Sequence, residues 1–375
     1  MTKKNFLLGT SALATAVLIG SAAQAGTVGS KDALSVTLGG ELRFYMGMAD
    51  QDVSAGRGRG YSFNVDESEI HIGASNTAEN GLTYGVNIEL NAGAADGSAA
   101  DEAYAFIDSD VWGRIEMGDN DDATDRMYVE SDDALVGRGG PDGDAGDFFN
   151  FGGAIGATGN TITDDATKLI YFTPRFGGFQ AGASLTPDTG INSGTGGLLD
   201  TDNDGDFENV IGLGVNWEGK FDEVGIVLSA TGEFGDSETA AGAEDGDVET
   251  ISVGGKIDLA GFALGAGYVD FGEAGITQAN QNAGADAGSY WTVGGSYAAG
   301  PYGVSVAWFD STRSNTTGIA DTDVQMLSLD ASYTVAAGWD LAAALHFIEA
   351  DNINGNAAGT NNEGTVFLIS NQFNF

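Results

Sequence analysis

The chain has 375 residues, 55 acidic against 14 basic, and its formal charge of −41 argues against nucleic acid as a partner. Cysteine is absent, which excludes disulfide staples, thiolate catalysis and cysteine metal sites. An apolar fraction of 42% is too high for a disordered acidic chain, and sixty glycines with four prolines indicate many turns and few breaks inside strands.

The first residues carry Lys3 and Lys4, an apolar run from Phe6 to Ile19, and the small-residue pattern Ala23-Gln24-Ala25. These are the three parts of a secretory signal peptide. The run is shorter than the roughly 20 apolar residues of a spanning helix. Cleavage is expected after Ala25, dividing the chain into a signal peptide at residues 1–25 and a mature protein at residues 26–375. Losing two of the 14 basic residues leaves 12 against 55 acidic ones, a formal charge of −43.

After the signal the recurring pattern is alternation of period two, the mark of strands with two unlike faces. From Leu34 to Met48 one face reads Leu34, Val36, Leu38, Leu42, Phe44, Met46 and the other Ser35, Thr37, Glu41, Arg43, Tyr45. Sixteen such segments begin near residues 34, 62, 82, 102, 113, 166, 178, 208, 224, 248, 261, 289, 302, 323, 338 and 364. Short connections, such as Arg175 to Gly177 and Ala298 to Pro301, alternate with long ones, such as Pro187 to Phe207 and Ser311 to Thr322. An up-and-down array with turns at one end and loops at the other fits.

The longest interruption follows Gly113-Arg114-Ile115-Glu116-Met117-Gly118-Asp119 and lasts until Asp165. It is acidic, glycine-rich, and carries Phe148-Phe149-Asn150-Phe151 near its end. A loop of this length inside one domain argues either for function or against the assignment of the neighbouring strands, and the rest of the chain decides which. Alternation alone does not separate a soluble sandwich from a membrane barrel. The even count, the asymmetry of turns and loops, and aromatics near segment ends (Trp217, Tyr268, Tyr297, Tyr302, Trp308, Tyr333, Trp339) favour the barrel. The opposite faces are mostly small and polar, as the wall of a wet lumen is. In lipid the sheet must close, because an open edge leaves backbone groups unpaired. The expected fold is all-β, a sixteen-stranded antiparallel transmembrane barrel.

Three stretches carry a family resemblance. The terminal strand Thr365 to Phe375, with Phe373, Ile369 and Phe367 on one face, resembles the last strand of Gram-negative outer-membrane proteins, whose final phenylalanine belongs to the assembly signal. Val111-Trp112-Gly113-Arg114-Ile115-Glu116-Met117-Gly118-Asp119 resembles the approach to the third loop of general bacterial porins, and Thr167 to Gln180 resembles the strand, turn and strand after it. The chain is most similar to porins of alphaproteobacterial type. The resemblance implies an outer-membrane location in a Gram-negative bacterium and contact with outer-membrane lipid. It also implies a homotrimer and a third loop, residues 119–165, folded inward as the pore constriction.

By the same resemblance, loop acids face basic groups on the wall. Arg43 and Arg114 match wall positions, and Glu116, Asp119, Asp121, Asp122, Asp125, Glu130, Asp132 and Asp133 supply candidate constriction acids. Phe375 and Phe373 are the candidate assembly signal. The second strand, Asn64 to His71, is acidic where related porins often carry arginines, and Arg57 and Arg59 precede it. With only Arg43, Arg114, Lys168 and Lys256 as basic groups on strands, a weakly cation-selective pore for small hydrophilic solutes and ions is expected. Asp200, Asp202, Asp204 and Asp206 open like a calcium loop, but the twelfth position is Ile211 rather than a bidentate glutamate. They are calcium candidates only, and no cofactor is required.

Catalytic motifs are missing: there is no G-x-S-x-G, no phosphate loop, and only His71 and His346 as histidines. A sugar-specific channel would show an aromatic ladder along the lumen, and a surface adhesive β-protein a large extra domain or tandem repeats. Neither is seen.

Overall fold

The computed structural model describes residues 34–52, 60–92, 100–137, 140–141, 144–156, 159, 162–190, 205–238 and 245–375. The expected signal peptide, Arg57, Arg59, and the calcium candidates Asp200, Asp202 and Asp204 lie outside them. Among the described residues sixteen strands form one sheet. The first eight are β1 (Ser35–Gln51), β2 (Tyr61–Thr77), β3 (Thr83–Asn91), β4 (Ala103–Ser109), β5 (Gly113–Asp119), β6 (Thr167–Phe172), β7 (Phe179–Asp188) and β8 (Phe207–Phe221). The rest are β9 (Val224–Ser237), β10 (Val248–Leu259), β11 (Phe262–Asp270), β12 (Ser289–Ala299), β13 (Tyr302–Arg313), β14 (Thr322–Ala336), β15 (Trp339–Asp351) and β16 (Asn362–Asn374).

Each strand pairs antiparallel with its sequence neighbours, and β1 pairs with β16, so the sheet is a closed barrel. Every strand starts within two residues of the position read from the alternation. No helix among the described residues is long and apolar enough to cross a membrane; the crossing is made by strands. The seam is completed past β16, where the Phe375 N–H donates to the Gly40 carbonyl at 3.0 Å and the Gly40 N–H donates back at 3.1 Å.

The outward face is an exposed apolar band including Leu42, Leu169, Leu213, Val253, Leu264 and Val306. Lipid is the medium in which such a band is stable. At the turn end it is bordered by aromatic pairs: Phe179 with Trp217, Phe262 with Tyr297, Tyr302 with Tyr333, and Trp339 with Phe373, at centroid distances of 6.5, 4.5, 5.1 and 5.6 Å.

The inner face departs from the small, polar wall expected. Tyr45, Val269, Tyr290, Phe309, Met326, Ile348, Val366 and Leu368 point inward and bury Phe148 and Phe149 of the long loop. Strands there carry bulky residues on both faces, so alternation in polarity is lost. The physical reason is that the loop fills this part of the lumen and needs an apolar partner. Each buried phenylalanine contributes about 1.5–3 kcal/mol relative to exposure.

Candidate functional site

Among its described residues the loop between β5 and β6 contains three single turns of 3-10 helix, Asp125–Met127, Asp132–Ala134 and Asp144–Asp147, and these residues run along the inside of the wall. A backbone without a ladder needs other partners, and wall hydroxyls supply them. Ser229 Oγ accepts from the Val129 N–H at 2.9 Å, while Ser296, Ser305 and Ser311 donate to the carbonyls of Ala134, Val136 and Ile155 at 2.6, 2.8 and 3.1 Å. Tyr290 accepts from the Gly159 N–H at 2.8 Å, and Lys256 Nζ donates to the Asp133 carbonyl at 2.9 Å. Gly254 lets the loop lie close against β10: a Cβ there would lie 1.9 Å from the Val129 carbonyl oxygen.

The root of the loop is a charge network. Glu116 is fully buried and accepts from Arg114, Arg126 and, at 2.6 Å, Asn120 Nδ2. The Arg126 guanidinium also lies 4.8 Å from the centre of the Phe172 ring. Lys168 donates to the carbonyls of Asn120 and Asp164, joining the loop's beginning to its end. Asp119 accepts from Thr167. Buried Asp122 accepts from the N–H groups of Thr124 and Asp125, both at 2.9 Å, and from Ser184 Oγ at 3.1 Å.

Farther along, Asp133 accepts from the Glu130 N–H at 2.8 Å, Ser131 donates to Asp132 at 3.3 Å, and Glu130 accepts from Thr292 at 3.3 Å. Glu116, Asp119 and Asp122 are therefore withdrawn from solvent to hold the loop's shape; Asp121, Asp125, Glu130, Asp132 and Asp133 remain half-buried.

Carboxylate oxygens of Glu102, Asp121 and Asp165 lie within 4.8 Å of one another. Burial raises all three, to about 9, about 6 and about 8; Asp121 repels both partners, while Lys168 and Arg126 hold Asp121 itself down. Asp125 is raised well above the usual range by burial, then by Asp121 and Asp122.

The hydroxyl and lysine anchors of the loop lie on β7 to β13, and β2 lies eight strands from β10 around the barrel; near its end the loop also reaches β1, where Gln51 donates to the Phe148 carbonyl and accepts from the Asn150 N–H, both at 2.9 Å. The facing wall of β1 to β3 is acidic. Arg43 Nη1 binds Asp66 at 2.7 Å, Arg43 Nη2 binds Glu41 at 3.3 Å, and Glu67 lies 3.9 Å away. A bulge between the Leu42–Ser68 and Phe44–Val65 pairs sets both Asp66 and Glu67 against Arg43. Glu69, opposite Glu41, and Glu89, opposite His71, extend the acidic strip. The sequence resemblance implied basic wall against acidic loop; here three carboxylates surround one arginine, and Glu69 and Glu89 beside His71 continue the strip.

A family model described as Gram-negative porin matches residues 9–353. The chain belongs to this family. The porin is also similar to an uncharacterized protein of Rickettsia prowazekii, 23% identical, with 73% of this chain and 76% of that one covered. A shorter match to a Rickettsia felis protein, 30% identical over 122 residues, spans 27% of each chain. Among solved structures, the anion-selective porin from Comamonas acidovorans superposes with a TM-score of 0.64 at 18% identity, covering 91% of this chain and all of that one. OmpT of Vibrio cholerae in its trimer form gives 0.61 at 14%, covering 92% and 100%. A porin of Rh. blastica gives 0.55 at 17%, covering 91% and 100%. The porin is an outer-membrane protein, as its family and barrel establish.

Sequence reasoning placed Arg43 and Arg114 on the inner face by alternation and named Lys168 and Lys256 only as basic groups on strands; all four side chains turn to the lumen side, where they meet the loop or the acidic wall. It missed Arg126, whose pairing with Glu116 ties loop to wall, because no local pattern announces a contact ten residues away that depends on the loop folding back. It missed the convergence on Arg43 for a different reason. The bulge breaks the alternation that would place either Asp66 or Glu67, not both, on the inner face. Of the calcium candidates only Asp206 is described, in the turn before β8.

Proposed function

We propose that this porin is a passive diffusion channel for small hydrophilic solutes and ions with a weak preference for cations. The observation that carries the reading is the occupation of the lumen bases Arg43, Arg114, Lys168 and Lys256. Arg43 is bound by Asp66 and Glu41, and Arg114 by Glu116, with Asp108 at 3.6 Å. Lys168 and Lys256 are buried and spend their protons on loop carbonyls. Uncompensated negative charge on β1 to β3 then sets the potential of a lumen whose low-dielectric wall focuses it. No bond is made or broken in such transport. Loop packing against β7 to β13, with its apolar end on β1 and β14 to β16, narrows the passage and sets a size limit.

Liposome swelling with neutral sugars of increasing size tests the reading. Uptake that is unsaturable and falls with solute size supports it; saturable uptake of one sugar, with others excluded, contradicts it. We further infer a homotrimer, for which small outward residues such as Ala181 and Ala183 on β7 leave room for a close neighbour. Mass measurement in mild detergent should give three chains, and a monomer would overturn this.

A further inference from the structure

We propose that Glu69, His71 and Glu89 form a binding site for a divalent transition-metal cation of the Zn2+ class on the pore wall. Glu69 and His71 are two residues apart on β2, hence on one face, and His71 is directly paired with Glu89 on β3. The three side chains therefore converge on one point of the lumen surface. His71 Nε2 lies 2.8 Å from Glu69 Oε2 and 3.9 Å from Glu89 Oε2, and one ligand atom from each residue fits within 4.8 Å. Ligand atoms bound tetrahedrally to zinc at about 2.0–2.2 Å are about 3.3 Å apart, so the observed spacings straddle what a bound ion needs.

The donor set is one imidazole and two carboxylates, which suits zinc, copper or nickel better than hard cations that prefer oxygen alone. The His71 side chain is 42% exposed, which leaves a coordination position open to lumen water. Among the described residues, Glu89 has no carboxylate partner other than His71. Glu67 and Asp101 also contact Glu69, and Glu41, opposite it across the sheet, is held by Arg43 and by Gln372 Nε2 at 2.8 Å, so these carboxylates border the site without completing it. The chain's other histidine, His346, is fully buried with Nδ1 bonded to Ser328 Oγ at 2.9 Å. Any imidazole-dependent metal binding from the lumen is thereby assigned to His71. A bound dication would cancel the charge of the two carboxylates and so lower the cation preference of the channel.

The test is isothermal titration of the detergent-folded full-length porin with ZnCl2, and in parallel with MgCl2, using heat-modifiable gel migration to verify folding of each variant. Saturable Zn2+ binding of one ion per chain, at least tenfold tighter than Mg2+ and weakened at least tenfold in His71→Ala and in Glu89→Gln, is expected. Equal Zn2+ affinity in wild type and both folded variants would mean diffuse binding to surface acids and would overturn the proposal. Absence of saturable Zn2+ binding would also overturn it, leaving His71 as a hydrogen-bond partner of Glu69 alone.

Discussion

Arg43 and Asp66 meet across the β1–β2 pair at 2.7 Å, with Glu41 on the arginine's other side at 3.3 Å. The bulge that brings Glu67 to the same guanidinium makes this arginine the minority charge in its own surroundings. Replacing it by Gln should therefore increase cation preference, since three carboxylates lose their counter-charge. Asp66→Asn should decrease it. Reversal potentials of the two variants should move in opposite directions from wild type; movement together, or towards anions in Arg43→Gln, would contradict the assignment.

Gly254 holds the loop against β10. A side chain there meets the Val129 carbonyl at 1.9 Å, a backbone atom that does not turn aside. Gly254→Leu should push the loop from the wall at a cost of about 1–3 kcal/mol, while the barrel still closes through its strand pairs. Single-channel recording should show altered, noisier conductance, and protease should cut the loop faster. Wild-type conductance and resistance would show that the loop is not anchored there.

The loop root titrates in an unusual range. Asp121, Asp165 and Glu102 are raised by burial to about 6, about 8 and about 9, so each is neutral below its value and charged above it. Cation preference should rise as pH increases through this window, and Asp121→Asn should remove the lower part of the rise. The stability sign is the reverse: folded values above the ordinary 3.8 and 4.5 mean that the protonated forms favour the packed loop, a contribution fully present below those ordinary values and lost as pH rises from them to about 6, about 8 and about 9. A preference that falls with pH would contradict this.

Phe375 closes the seam through its backbone, while its ring is 61% exposed and lies over Gly40. Little packing is lost with it, so its deletion should reduce folded barrel in the outer membrane more than it lowers the melting temperature of barrel already folded. Phe373, stacked on Trp339, should show the opposite balance. Heat-modifiable migration of membrane fractions and of purified protein separates the two effects.

The barrel was legible because lipid and lumen impose opposite polarity on successive residues, so Leu42, Phe44 and Met46 announce one face and Glu41, Arg43 and Tyr45 the other. The gap after Asp119 was legible as a loop, and Arg43 and Arg114 as inward-pointing. The division of labour among the loop acids was not. Asp121 and Asp122 are neighbours of one chemistry, yet Asp122 is buried by the N–H groups of Thr124 and Asp125 while Asp121 crowds against Glu102 and Asp165. Only the folded path of the loop distinguishes them. The apolar lining at Phe309 and Met326 was hidden for a related reason, since its partner, Phe149, lies far away in sequence.

The reversal potential of wild-type channels under a KCl gradient, at low salt and without added divalent cations, tests the central claim most directly. Screening shortens from about 30 Å at 0.01 M to about 3 Å at 1 M, so the preference should be strongest in the dilute solution and fade in the concentrated one. A potential of the sign given by selective K+ passage, decreasing with salt, is the predicted result. A potential of the opposite sign at low salt would contradict the account.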